Sequence, residues 1–284
     1  MSKVDLHIHS TASDGRHSPQ EIVRRAAGLG LEVIALSDHD SVDGIAPALE
    51  EARKLDRLQF IPAVEISTDV PSGEVHVLGY FIDYTGEEFT AALERFRSSR
   101  ERRAQGMVEK LAGLGIHISW ERVREIAGSG AVGRPHVARA MLEKKYISTI
   151  KEAFDRYIAR DGPAYVEREK LTPAEAVRLI VRNRGVAVMA HPFTVPEPEA
   201  IIAELKAAGM AGLEAYYNGY ASEDVGALLA LARKYGLIVT GGSDYHGLDE
   251  SRETLLGGAD VPMEVVNGLM AQAEPEMLKL AYLK

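Results

Sequence analysis

At 284 residues, 46% hydrophobic and 26% charged, the chain has an ordinary globular composition and the length of one large barrel, or of a smaller domain with an insertion, which sets disorder aside. It contains no cysteine, which excludes disulfides, thiolate zinc sites and cysteine nucleophiles together and leaves imidazole and carboxylate as the strong metal ligands. With 33 Lys and Arg against 42 Asp and Glu, the net charge of −9 disfavours nonspecific binding to long nucleic acid or anionic membrane, so a phosphorylated substrate needs a local positive field.

The N-terminal MSKVDLHIHS lacks an apolar signal core and no later apolar run approaches membrane-spanning length, so the expected location is the cytoplasm, with no membrane and no obligate protein partner implied. In chain order, Val4–Ile8, Val33–Ser37, Phe60–Ile66, Val75–Ile82, Gly185–Ala190, Leu213–Tyr217 and Leu237–Thr240 read as strands. Several are near-continuous apolar runs, as in parallel strands buried on both faces. Ser18-Pro19-Gln20-Glu21 and Thr172-Pro173-Ala174-Glu175 each open a helix with a hydroxyl N-cap, proline at the first helical position and glutamate three residues after the cap. Strand-then-helix repetition predicts an α/β fold with a parallel sheet, and seven strands favour a barrel.

The rhythm breaks between about Phe89 and Tyr165. Phe89, Leu93, Phe96, Met107, Leu111 and Leu114 fall at helical spacing, and Val137–Leu142 and Ile150–Ile158 are amphipathic. The expected organisation is therefore a barrel from residues 1–88 and 166–284, interrupted by a small all-helical insertion over 89–165.

Six of nine histidines fall in or just after these strands: His7, His9, His39, His76, His191 and His246. In a barrel such strand ends share one face, where catalytic residues gather. The period-two spacing of His7-Ile8-His9 sends both imidazoles to the same side, a bidentate metal geometry. Asp14, Glu65 and Asp244 occupy the same kind of position, and nine such residues together point to a metal site.

Asp5–Gly15, which reads DLHIHSTASDG, together with Ser37-Asp38-His39-Asp40, Val64-Glu65, Glu74-Val75-His76, Ala190-His191-Pro192 and Gly242-Ser243-Asp244-Tyr245-His246, resembles the motifs of the PHP (polymerase and histidinol phosphatase) family from end to end of the chain. The resemblance implies a distorted (β/α)7 barrel and a trinuclear centre, with manganese favoured and iron or zinc compatible with the same ligand types. Carried over residue by residue, it implies one metal on His7, His9, Glu65 and Asp244, a second on Glu65, His76 and His191, and a third on Asp14, His39 and His246. No ligand position is substituted, which argues against a noncatalytic metal-stabilised module. Three divalent ions against three carboxylates would leave a positive focus in an acidic protein. A water bridging two of them is expected to ionise near neutral pH and attack phosphorus in line.

Within the family, the insertion and Gly133-Arg134-Pro135-His136 resemble the branch acting on nucleotides: nucleoside 3′,5′-bisphosphates, adenosine monophosphate, or short 5′-phosphorylated RNA degraded as a 5′–3′ exonuclease does. Histidinol phosphate fits less well. A second phosphate requires a cation away from the metals, and Arg134 and then Arg160 are the candidates, since a guanidinium grips phosphate bidentately. His17, His136 and Asn218 are further candidate substrate contacts, each of which can equally be structural, and Tyr216, Tyr217 and Tyr220 can either meet a base or cap the barrel. Arg95, Arg97, Arg100, Arg102, Arg103 and Lys110 form a basic stretch, read as a solvated helix face in preference to an RNA track. His117, between two isoleucines, is expected to be structural.

Overall fold

Each of the seven apolar segments forms a strand, and the strands lie side by side in chain order: β1 (Val4–Asp5), β2 (Val33–Leu36), β3 (Gln59–Val70), β4 (Gly73–Tyr80), β5 (Val186–Met189), β6 (Gly212–Tyr217) and β7 (Ile238–Gly242). The computed structural model describes residues 3–70, 73–128, 130–167, 171–247 and 255–283. Hydrogen bonds from Leu6 N–H to the Gly241 carbonyl (3.2 Å), Asp244 N–H to the His7 carbonyl (2.8 Å) and His9 N–H to the Tyr245 carbonyl (2.9 Å) bring the last strand back to the first. The sheet thus becomes a nearly closed barrel.

The expectation of a wholly parallel sheet is corrected at one strand. β4 runs antiparallel to both β3 and β5, while the other neighbours pair in parallel. The cause is chain length, because Val70 pairs with Gly73 across a turn far too short for the dozen or more residues of a parallel crossover. This hairpin is what distorts the barrel.

Helices α1 (Pro19–Gly28) and α2 (Ile45–Ala52) follow β1 and β2, and α3 (Glu87–Gly113), α4 (Trp120–Ala127), α5 (Arg134–Glu143) and the short α6 (Ile150–Ala153) lie between β4 and β5. After these come α7 (Pro173–Arg182), α8 (Pro198–Ala207), α9 (Ser222–Tyr235), α10 (Glu264–Met270) and α11 (Pro275–Leu278). Both expected capping boxes are formed, by Ser18 with Glu21 and by Thr172 with Glu175.

Alternation along the strands divides the core. Ile34 and Leu36 join a cluster with Ile22, Leu49, Val177 and Ile202 from the surrounding helices, whereas Val33 and Ala35 join one with Val188, Val266, Leu269 and Met277, including the C-terminal helices. A third cluster contains Met107, Leu111, Val123, Val137, Met141 and Ile158. The first turns of α3 remain with the barrel, since Phe89, Leu93 and Phe96 belong to the first cluster. Leu114, assigned to the apolar face of this helix, is instead 47% exposed just past its end. Among the described residues no helix is long and apolar enough to cross a membrane.

Candidate metal centre

His7 and His9 leave the end of β1, Asp14 lies in the loop beyond it, His39 follows β2, Glu65 sits within β3 and His76 within β4. His191 follows β5, and Asp244 and His246 follow β7. All nine meet in one place. The ligand-capable atoms of His7, His9, Glu65 and Asp244 lie within 4.8 Å of one another, as do those of His9, Asp14, His39 and His246, and those of His39, Glu65 and His76. Glu65 is central: its Oε2 is 3.3 Å from His7 Nε2 and 3.2 Å from His9 Nε2, and its Oε1 is 2.8 Å from His76 Nδ1 and 3.1 Å from His191 Nε2.

These separations fit shared cations. Two donors each about 2.1 Å from one ion lie about 3.0 Å apart in octahedral and about 3.4 Å apart in tetrahedral coordination. Asp244 Oδ1 is 3.3 Å from His7 Nε2 and 3.0 Å from His9 Nε2, within that range. His246 Nε2 and Asp14 Oδ1 are 3.4 Å apart. His7 Nε2, both ring nitrogens of His9, Asp14 Oδ1 and Glu65 Oε2 are buried without a hydrogen-bond partner, an arrangement that is costly unless a cation meets them.

The electrostatics agree. Burial disfavours ionised carboxyl groups here, but the surrounding histidines outweigh it and hold Asp14, Glu65 and Asp244 well below the usual carboxylate range. Burial lowers His39 to about 4, whereas the neighbouring carboxylates outweigh burial and raise His7, His9, His191 and His246, so that protons and metal ions compete for the same carboxylate-lined cluster.

Of the other predicted site residues, Arg134 opens α5 and lines a cavity shared with Asp14, His39 and His76; its guanidinium pairs with Glu74 and lies 5.4 Å from the Phe154 ring centre. Arg160 lies elsewhere, donating to the Val70 carbonyl at the tip of the β3–β4 hairpin. His136 uses Nδ1 to accept the Gly133 N–H at 2.9 Å, which secures the start of α5. His17 is buried with its ring parallel to that of Tyr245, and Asn218 lies in the turn after β6; neither belongs to the histidine–carboxylate groups. His117 is exposed between the buried Ile116 and Ile118.

Two residues of the basic stretch overturn its reading as a solvated face. Arg100 and Arg103 are 6% and 4% exposed and line the same cavity as Arg134. Arg100 is anchored by Asp40 at 2.6 Å and by the Ser67 hydroxyl at 2.6 Å. Arg95, Arg102 and Lys110 are exposed as expected.

Several residues that shape the centre escaped notice in the sequence. Asp38 accepts from Ser10 N–H and from the Ser10 and Ser13 hydroxyls, which shapes the loop carrying His9 and Asp14. Asp5 accepts from Ser243 and from Gly257 N–H, fixing the segment that carries Asp244. Tyr217, left open above, donates its hydroxyl to Asp244 Oδ2 at 3.0 Å. Glu214 is fully buried beside His7 and His191.

The PHP domain family model matches residues 5–167. The chain belongs to the PHP family. It is 36% identical to a 5′-3′ exoribonuclease of Haemophilus influenzae over 248 residues, 86% of this chain and 90% of that protein. It is 31% identical to a 3′,5′-nucleoside bisphosphate phosphatase of Chromobacterium violaceum over 266 residues, 92% of this chain and 91% of that one. Among solved structures, an amidohydrolase from Chromobacterium violaceum with bound sulfate superposes with a TM-score of 0.86 at 29% identity, covering 96% of this chain and 98% of that one. These similarities cover 86–96% of this chain.

Proposed function

We propose that this PHP protein is a metal-dependent phosphoesterase that hydrolyses the phosphate monoester of a nucleotide, with nucleoside 3′,5′-bisphosphates as the favoured substrate class and adenosine monophosphate as a lesser one. The observation that carries the reading is the meeting of eight buried or half-buried imidazole and carboxylate side chains, joined by His191 through Glu65 at 3.1 Å, beside a cavity lined by Arg100, Arg103 and Arg134.

In this reading His7, His9, Glu65 and Asp244 hold one divalent ion, Glu65, His76 and His191 a second, and Asp14, His39 and His246 a third. Imidazole and carboxylate donors suit manganese, with iron or zinc as alternatives. When bound, such ions supply Lewis-acid neutralisation of the phosphoryl oxygens and an acidified water as nucleophile. The protein's own part is to keep three carboxylates ionised and the imidazoles aimed, and to hold the substrate. Arg134 and Arg103 present guanidinium groups on the helical side of the cavity, where a phosphate not being cleaved would sit. Phe154 and Pro135 add an apolar wall suited to a base or ribose. Within the span 89–165, the helices beyond Phe96 thus act as a substrate-capping unit over the barrel, whose core takes in Phe89, Leu93 and Phe96. Arg160, held at the hairpin tip, serves to join the two parts.

A second reading, a 5′–3′ exonuclease on short 5′-phosphorylated RNA, is favoured by the 36% identity to the Haemophilus influenzae exoribonuclease. Both readings use the same chemistry and differ in what lies beyond the scissile phosphate. The test compares kcat/KM of manganese-loaded protein on adenosine 3′,5′-bisphosphate, adenosine monophosphate, histidinol phosphate and a 5′-phosphorylated trinucleotide. The bisphosphate is expected to lead; dominance of the trinucleotide selects the exonuclease, and no turnover at full metal occupancy rejects both.

A further inference from the structure

We infer that Glu214 is a positioning residue that couples two of the metal subsites, holding His7 by its ring and His191 by its backbone. The inference rests on the metal-centre reading above. β6 supplies none of the nine candidate ligands, yet its Glu214 is fully buried at their edge. A buried carboxylate is costly unless hydrogen-bonded, so its partners reveal its task. Among the described residues, its hydrogen bonds go to His7 Nδ1, 3.1 and 3.3 Å from its two oxygens, and to the His191 N–H at 2.8 Å.

Each contact constrains a different subsite. A proton on His7 Nδ1, donated to Glu214, leaves the Nε2 lone pair facing Glu65 Oε2 and Asp244 Oδ1, both 3.3 Å away. The His191 backbone has φ of 28°, a strained value for a side-chain-bearing residue. The bond from its N–H to Glu214 helps hold that conformation, in which His191 Nε2 stands 3.1 Å from Glu65 Oε1. One carboxylate therefore sets a ligand on each side of the bridging Glu65. Asp14, His39 and His246 are not among its hydrogen-bond partners.

The local fold of β6 supports a dedicated role. Its ladder with β7 pairs Glu214 with Thr240 but Tyr216 with Gly241, which leaves an extra residue at Ala215. Strict alternation would send residues 214 and 217 to opposite faces, whereas the bulge turns both toward the centre. Glu214 then meets His7 and His191, and the Tyr217 hydroxyl meets Asp244.

The test is a manganese(II) titration of chelator-treated wild-type, Glu214→Gln and Glu214→Ala chains, counting bound and free ion, with far-UV circular dichroism and thermal melting alongside. We expect manganese at the His7 and His191 subsites to weaken about 10- to 100-fold, the usual effect of losing a partner that orients a ligating histidine. Manganese at Asp14, His39 and His246 keeps its wild-type affinity. A purely structural glutamate would lower the melting temperature without this selectivity. Glutamine preserves the side-chain volume, so if the alanine variant fails to fold the glutamine variant decides. Folded Glu214→Gln with every manganese affinity unchanged overturns the inference while leaving the metal centre standing. A wild-type chain that binds neither manganese nor, in the same titration, iron(II) or zinc overturns the metal reading and this inference with it.

Discussion

Gly242 lies directly against His7: a Cβ placed on the glycine would come within 2.4 Å of both the His7 nitrogen and the His7 Cβ. Closure of the barrel and placement of the first ligand histidine thus depend on one missing methyl group. Gly242→Ala is expected to force β7 and β1 apart and cost about 1–3 kcal/mol, as overpacking does. By contrast, Gly226 within α9 has open space at its Cβ position, so Gly226→Ala should gain up to about 1 kcal/mol from helix propensity. Urea denaturation of the two variants checks both signs.

Asp244→Ala and His191→Ala each remove a proposed ligand while leaving the apolar clusters intact. Turnover should fall by orders of magnitude in both, with far-UV circular dichroism unchanged. Full activity in either variant would contradict the ligand assignment.

Arg134 and Arg100 line one cavity but should fail differently. Arg134→Ala is expected to lower kcat/KM far more for a nucleoside bisphosphate than for a monophosphate, and equal loss on both would remove its recognition role. Arg100→Ala removes the guanidinium 2.6 Å from the buried Asp40, whose other carboxylate oxygen still accepts the Ser67 N–H at 3.0 Å, and the loss of this buried ion pair is expected to cost about 3–5 kcal/mol of stability. Denaturant midpoints measured beside substrate kinetics separate the two outcomes.

Thr172 caps α7 by accepting from Glu175 N–H, and Glu175 returns a bond to Thr172 N–H. Thr172→Ala should cost about 1 kcal/mol. The bonds that Thr172 N–H and the Thr172 hydroxyl donate to the Glu175 carboxylate lower it below its ordinary value of 4.5. Its stabilisation is therefore complete above that value and is lost as pH falls through the lowered folded value. Both proteins should melt lower as the carboxyl protonates, and the gap between Thr172→Ala and wild type should narrow without closing, because only the bond from the Thr172 hydroxyl to the carboxylate titrates while the cap on Glu175 N–H does not.

The seven strands were legible because β-branched, apolar runs have few other uses. Their directions were not, since an apolar run carries no arrow. Even so, residues 67–74 between the third and fourth predicted strands are too few for a parallel crossover, and that count foretells the hairpin. Most of the nine candidate ligands stood out as polar residues at or just beyond strand ends, where packing alone does not call for them, although β3 runs on past Glu65 and His76 lies within β4. Arg100 and Arg103 were misread because net positive charge was weighed without phase: Phe96, Arg100, Arg103 and Met107 are spaced four, three and four apart, on the buried stripe of α3. Glu214 was overlooked within the apolar strand GLEAYY, where a lone carboxylate among buried neighbours was itself the signal.

The central claim is that the histidine–carboxylate cluster binds metal to hydrolyse a nucleotide phosphate. Its most direct test is to titrate manganese(II) into chelator-treated protein while following both bound ion and phosphate released from adenosine 3′,5′-bisphosphate. Release that rises with occupancy of the cluster, and is absent in Asp244→Ala, is the result predicted here. Full occupancy without release, or undiminished release from the metal-stripped chain, would contradict it.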